Sequence, residues 1–154
     1  MQNKGFTLVE TLIYIAIISG VLAAFVSFAL NISEARTKTY VAEEVQANAR
    51  VALETIVQKI RSAAGLNIGT SVFNTDPGVL SLMMNNSSLN PTVINLSSTD
   101  GSLQIKEGSD SPVAVTSNRV KITNLVFRNF TSVGARANVG IELTVAYVKI
   151  GRAS

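Results

Sequence analysis

The chain has no cysteine and no histidine. The first absence excludes disulfides, thiolate zinc sites and a cysteine nucleophile. The second removes the commonest general base and the commonest metal ligand. Charge is also scarce. Charged residues make up 15% of the 154 positions, where a soluble domain carries about 25%. Aromatics are 6%, so the 47% hydrophobic content is mostly aliphatic. Ten glycines and three prolines are too few for a collagen-like or Pro/Gly-rich disordered chain. The formal charge of +3 is small and spread out, a weak signal for nucleic acid. Lack of cysteine leaves the compartment open. The length argues for one compact domain.

The aliphatic excess is concentrated near the N-terminus. After the polar stretch MQNKG comes FTLVETLIYIAIISGVLAAFVSFALNIS, and the 23 residues from Thr11 to Ser33 carry no charge. A hydrocarbon core of about 30 Å needs roughly 20 apolar residues at 1.5 Å each. This run is long enough to span. It is too long for a secretory h-region, and no small-x-small cleavage site ends it. An uncut membrane helix is therefore expected. Glu10 is the anomaly. An ionisable group inside a hydrophobic helix is costly and has a partner or a task. At the headgroup boundary it costs little. One turn into the helix, its natural partner is a positive charge from another molecule or a free chain terminus.

Lys4-Gly5-Phe6-Thr7-Leu8-Val9-Glu10, followed by the long aliphatic helix, resembles the processing site of type IV prepilins and pseudopilins. The resemblance implies that a prepilin peptidase cuts after Gly5 and that Phe6 becomes the methylated N-terminus. It also implies that Glu10 meets a neighbouring subunit's terminal amine during assembly. The chemistry suits those positions. Glycine lets the backbone lie close to a protease. An amine and a carboxylate attract strongly in a low dielectric, but only as a pair. The resemblance further implies a cytoplasmic leader and an exported C-terminal part. The charge rule does not support that orientation, because Lys4 lies on one side and Arg36 plus Lys38 on the other.

No proline occurs before Pro77, and the helical pattern continues past the apolar run. Val41, Val45, Ala49, Ala52, Leu53, Ile56, Ile60 and Ala63 recur at spacings of three and four. Glu43, Glu44, Arg50, Glu54, Lys59 and Arg61 mostly take other faces. Arg50 and Glu54 are placed to pair at i,i+4. Lys59 and Arg61 suit the negative end of the helix dipole, and Gly65 is a helix stop. A helix from Thr7 to Ala64 would be roughly 87 Å long at 1.5 Å per residue. Its first half is apolar all round and its second half one-sided, which predicts membrane or filament core first and packing on a domain second. The competing expectation is an anchor and a separate soluble helix, broken at Asn31-Ile32-Ser33. Many major type IV pilins carry a mid-helix proline where Ser27 stands here. The stretch from Val45 to Ala63 resembles minor pilins and pseudopilins of the J and W type.

Beyond Gly65, β-branched residues alternate with polar ones. The spacing predicts strands over Val79–Met84, Thr92–Leu96, Ser102–Lys106, Val113–Thr116, Val120–Phe130 and Val139–Ile150. Val139, Ile141, Leu143, Val145 and Tyr147 share one phase of a half-buried antiparallel strand. In the preceding strand Val120 and Ile122 share a phase, but Leu125 and Phe127 take the other. One extra residue near Thr123-Asn124 predicts a bulge. Thr99–Ser102 and Glu107–Asp110 read as turns, and 131–138 as a hairpin loop. The expected fold class is α+β and pilin-like: a long N-terminal helix packed on a C-terminal antiparallel sheet, which the helix covers. The expected organisation is a leader at 1–5, a membrane-spanning or filament-core half-helix at 6–33, an amphipathic half-helix at 34–65, and a β-rich head at 66–154.

No catalytic constellation is visible, and no enzyme, cofactor or metal is expected. Asp100-Gly101 and Glu107–Asp110 are the nearest approach to a calcium site, but they lack EF-hand spacing and read as solvated turns. No phosphate-cradling glycine loop occurs. Arg119, Lys121, Arg128, Arg136, Lys149 and Arg152 give the head a mild basic excess without interleaved aromatics. The expected function is a structural subunit, minor rather than major, of a type IV pilus or type II secretion-like pseudopilus. Its implied partners are other pilin subunits, a prepilin peptidase, an inner-membrane assembly platform and, before assembly, membrane lipid. The implied location is the cytoplasmic membrane, single-pass with the head exported, and then the filament. Two competing readings are a bitopic anchor for an exported binding module, and a DNA-uptake filament subunit whose head contacts DNA.

Overall fold

The computed structural model describes residues 7–132 and 137–148. The chain divides into two compact units, 1–40 and 41–154. One helix, α1 (Leu8–Ser62, 55 residues), contributes to both.

In the first unit α1 presents aliphatic side chains all round. Leu12, Ile17, Leu22, Phe25 and Leu30 are all more than half exposed. An 18-residue window of α1 has a mean hydropathy of 2.4 and none of it is buried within the chain. The helix is long and apolar enough to cross a membrane by length and composition. Several of its hydroxyls are closed on the helix itself. Ser19 donates to the Ile15 carbonyl at 2.7 Å, Ser27 to Ala23 at 3.0 Å and Thr37 to Ser33 at 3.0 Å. Such back-bonding gives these hydroxyls a partner in apolar surroundings. The helix runs unbroken through Asn31-Ile32-Ser33, as the continuous-helix expectation has it and against the competing expectation of a break there.

In the second unit the remaining turns of α1 pack on two antiparallel sheets. The first is a meander of five strands in chain order: β1 (Gly65–Leu66), β2 (Leu80–Met83), β3 (Thr92–Leu96), β4 (Leu103–Glu107) and β5 (Val113–Ala114). The second is a hairpin of β6 (Val120–Asn129) and β7 (Val139–Tyr147). Ala52 and Ile56 of α1 meet Leu80, Leu82, Ile94, Leu103 and Ile105 from the meander in one core. Ile122, Leu125 and Phe127 of β6 complete it. Leu80, Ile94 and Ile105 stand opposite one another across three strands, so one row of the sheet presents a continuous aliphatic face. The inner stripe of α1 follows the predicted spacing except at Leu53, which is 38% exposed. The helix ends at Ser62, short of the expected Ala64, because the Ala64 amide donates to the Met83 carbonyl at 2.8 Å and enters the sheet.

Two polar ties were not foreseen. Glu44 and Asn48, one turn apart, both face Ser117. The Ser117 amide donates to Asn48 Oδ1 at 2.8 Å, and its hydroxyl donates to Glu44 Oε1 at 3.0 Å. Lys59, expected to serve the helix dipole, forms an ion pair with Glu107 of β4. Glu44 and Lys59 therefore lie on the packed side of α1, against the sequence expectation. The Arg50–Glu54 pair forms as predicted, at 2.7 Å. It is solvent-exposed, so water and salt screen it and it adds little to stability.

The predicted bulge in β6 is present. The register with β7 shifts between Ile122 and Asn124, so Thr123 is the extra residue. Val120 and Ile122 are buried before it, and Leu125 and Phe127 after it. On its other side β6 is covered. Gly78 donates to the Leu125 carbonyl at 2.7 Å, Asn74 to Phe127 at 2.9 Å, and Ile122 to Gly101 at 3.0 Å. A Cβ on Gly78 would approach both the Leu125 carbonyl and the Phe127 ring at 3.0 Å, which accounts for glycine there. The turns at Gly101 and Gly108 have φ of 69° and 53°, the left-handed region that favours glycine. The last predicted strand extended to Ile150. β7 is described to Tyr147, and residues 149 and 150 lie outside the described residues.

Deleting Thr123 should turn Val120 and Ile122 outward and Lys121 inward, since a one-residue slip swaps the faces of a strand. The expected cost is roughly 3–6 kcal/mol, two aliphatic burials at about 1.5–3 kcal/mol each. Thr123→Ala should cost less than about 1 kcal/mol, as an exposed substitution. Urea denaturation of the detergent-solubilised chain compares the two. Equal midpoints would show that the bulge does not set the phase of β6.

Candidate functional site

The site starts from the residue that opens α1. Thr7 precedes the first helical residue, and Thr7-Leu8-Val9-Glu10 matches the spacing of a helix capping box. One half of that box is formed. The backbone amide of Glu10 donates to Thr7 Oγ1 at 3.3 Å. The Thr11 amide and hydroxyl both donate to the Thr7 carbonyl, at 3.2 and 3.3 Å. Glu10 thus occupies the first turn of α1, where the positive end of the helix dipole favours a carboxylate.

The Glu10 side chain extends down the helix, away from the Thr7 cap. Its Oε1 lies 3.5 Å from the Tyr14 hydroxyl one turn on. Glu10 is half-buried, whereas Leu8 and Val9 beside it are 77% and 64% exposed. The next acidic residue along the helix is Glu34. Glu10 is therefore a lone carboxylate at the head of an apolar surface. It can accept a cation there. Of the other predicted site residues, Gly5 and Phe6 lie outside the described residues.

The acidic residues of the head are engaged in its architecture. The Ser97 hydroxyl and the amide and hydroxyl of Ser102 hold the Asp100 carboxyl below the usual carboxylate range. Asp76 accepts from the Leu125 amide at 2.8 Å, and Glu107 pairs with Lys59. Among the described residues, no group of three or more acidic side chains is close enough to hold a metal ion. Of the basic residues, Arg128 pairs with Glu142 at 3.0 Å, and the stem of Lys121 lies against Gly101. Arg136, Lys149 and Arg152 lie outside the described residues. A surface groove lined by Lys59, Glu107, Asp110 and Val113 measures about 270 Å³. The Lys59–Glu107 ion pair occupies its polar wall.

Sequence reasoning missed Tyr14. The available signal was its i,i+4 spacing from Glu10, which places both on one helix face.

A family model described as the prokaryotic N-terminal methylation motif matches residues 1–26. No curated protein and no solved structure matches the chain. The matched segment contains Gly5, Phe6, the Thr7 cap, Glu10 and Tyr14. It indicates type IV pilin-like processing by a prepilin peptidase and assembly with other pilin subunits. The chain thus carries a prokaryotic N-terminal methylation motif on a membrane-capable helix, consistent with a protein of the type IV pilin and pseudopilin family.

Proposed function

We propose that the chain is a non-enzymatic structural subunit, minor rather than major, of a type IV pilus or a type II secretion-like pseudopilus. The observation that carries this reading is the methylation motif over residues 1–26, joined to a helix with one carboxylate in its first turn. In this reading a prepilin peptidase cuts after Gly5 and Phe6 becomes the methylated terminus. Before assembly the precursor crosses the cytoplasmic membrane once, with its head exported. An assembly platform in that membrane then transfers it to the filament. Glu10 accepts the terminal amine of the adjacent subunit, which neutralises a charge that an apolar environment would penalise.

The minor role is favoured by the absence of cysteine, which excludes the C-terminal disulfide loop of many Gram-negative major pilins. It is also favoured by the likeness of Val45–Ala63 to minor pilins and J/W-type pseudopilins. The rival reading is a bitopic anchor for an exported binding module, which keeps residues 1–5 and leaves Glu10 incidental.

The intact mass and N-terminal sequence of protein made in cells with an active prepilin peptidase separate the two. The expected chain begins with methylated Phe6. A chain beginning at Met1, beside a processed control substrate, removes the filament reading. Glu10→Ala should lower incorporation into sheared filaments at least about tenfold, since loss of one partner of a buried pair costs about 3–5 kcal/mol. Incorporation at the unaltered level would remove the role given to Glu10.

A further inference from the structure

A carboxylate at the start of an apolar helix needs a ligand before another subunit supplies one. The nearby hydroxyls are committed elsewhere. Thr7 accepts from the Glu10 amide, and Thr11 donates to the Thr7 carbonyl. Tyr14 supplies what they do not. Helical side chains lean toward the N-terminus, so a tyrosine at i+4 brings its hydroxyl back up toward residue i. That is the arrangement found, with the Tyr14 hydroxyl 3.5 Å from Glu10 Oε1. The ring is half exposed on the apolar surface.

We propose that Tyr14 is a positioning residue for the Glu10 carboxylate, holding one of its oxygens through the phenolic O–H until the cation of a docking subunit takes it over. This rests on the reading of Glu10 as the assembly carboxylate. A phenol is suited to the task because it donates a hydrogen bond without adding a charge to the helix. A lysine or arginine at the same position would neutralise Glu10 permanently and remove the drive to dock. The separation is longer than an ordinary O–H···O bond, so the hold is weak and exchangeable. An incoming ammonium brings a full opposite charge as well as hydrogen-bond donors, which a neutral phenol does not, so it displaces the phenol. The Tyr14 hydroxyl meets Oε1, and a carboxylate has acceptor positions on both oxygens with which to receive that amine. Tyr14 also turns the carboxylate down the helix, away from the Thr7 cap that would otherwise complete a capping box.

The test uses the full chain in lipid nanodiscs, with ¹³C-carboxyl-labelled glutamate and the Glu10 signal assigned by its loss in Glu10→Gln. A hydrogen-bond donor on a carboxylate oxygen changes the shielding of the carboxyl carbon, so Tyr14→Phe should move the Glu10 carboxyl signal at fixed pH. Filament incorporation of Tyr14→Phe should fall several-fold. In the Glu10→Gln background the same substitution should change nothing further. An unmoved Glu10 carboxyl signal in Tyr14→Phe, with Glu10→Gln still defective, overturns the role of Tyr14 alone. An equal loss of incorporation on adding Tyr14→Phe to Glu10→Gln also overturns it, because the ring would then act through bulk. Full incorporation of Glu10→Gln removes the assembly reading and the role of Tyr14 with it, even if the carboxyl signal moves.

Discussion

The backbone of a helix closes its hydrogen bonds within itself, and that constraint allows α1 to serve two surroundings. Over the apolar run none of the helix is buried among the described residues, and no water would be available in a bilayer. A continuous ladder, with the Ser19 and Ser27 hydroxyls folded back onto it, pairs the backbone and these side chains internally. From Val41 onward the same ladder needs only a change of side chains to become one wall of a core. Ala52 and Ile56 are small and medium residues, and they let the helix approach the sheet closely enough to share a core with Phe127.

Polar groups on α1 separate into two kinds. Glu44, Asn48 and Lys59 find partners on Ser117 and Glu107, and fix the rotation and height of the helix against the strands. Apolar contact alone is non-directional and specifies neither quantity well. Glu10 differs from these. Among the described residues its carboxylate meets only a weakly placed neighbour on the same helix, the Tyr14 hydroxyl at 3.5 Å, and lies at the head of the apolar run rather than against the sheets.

The head shows how a small α+β fold treats its strand edges. β6 borders loop residues 74–78 and the Gly101 turn, so its outer backbone groups are paired without another strand. The bulge at Thr123 makes this possible. It lets two aliphatic residues face inward on each side of a break in phase, so β6 contributes to the core along its whole length. Gly78 permits the close approach of the covering loop, and the left-handed glycines at 101 and 108 reverse the chain beside β4.

Local patterns were enough for the apolar run, the amphipathic stripe, six of the strands, the turn glycines and the extra residue in β6, because each is a periodicity or a break in one. The methylation motif over residues 1–26 was also legible as a resemblance, since a short contiguous motif survives in linear order. The partners of Glu44 and Lys59 were beyond reach, because Ser117 and Glu107 come close only after the sheet has formed. The two-residue strand β1 was missed for the same reason: its pairing with β2 defines it, and two residues carry no period. Leu53 was assigned inward by spacing, but the rotation of α1 is set by the polar ties and leaves it outside. Residue order decided which faces are apolar. Only the tertiary structure decided which polar groups meet, since hydrogen bonds and ion pairs act over a few ångströms and join residues dozens of positions apart.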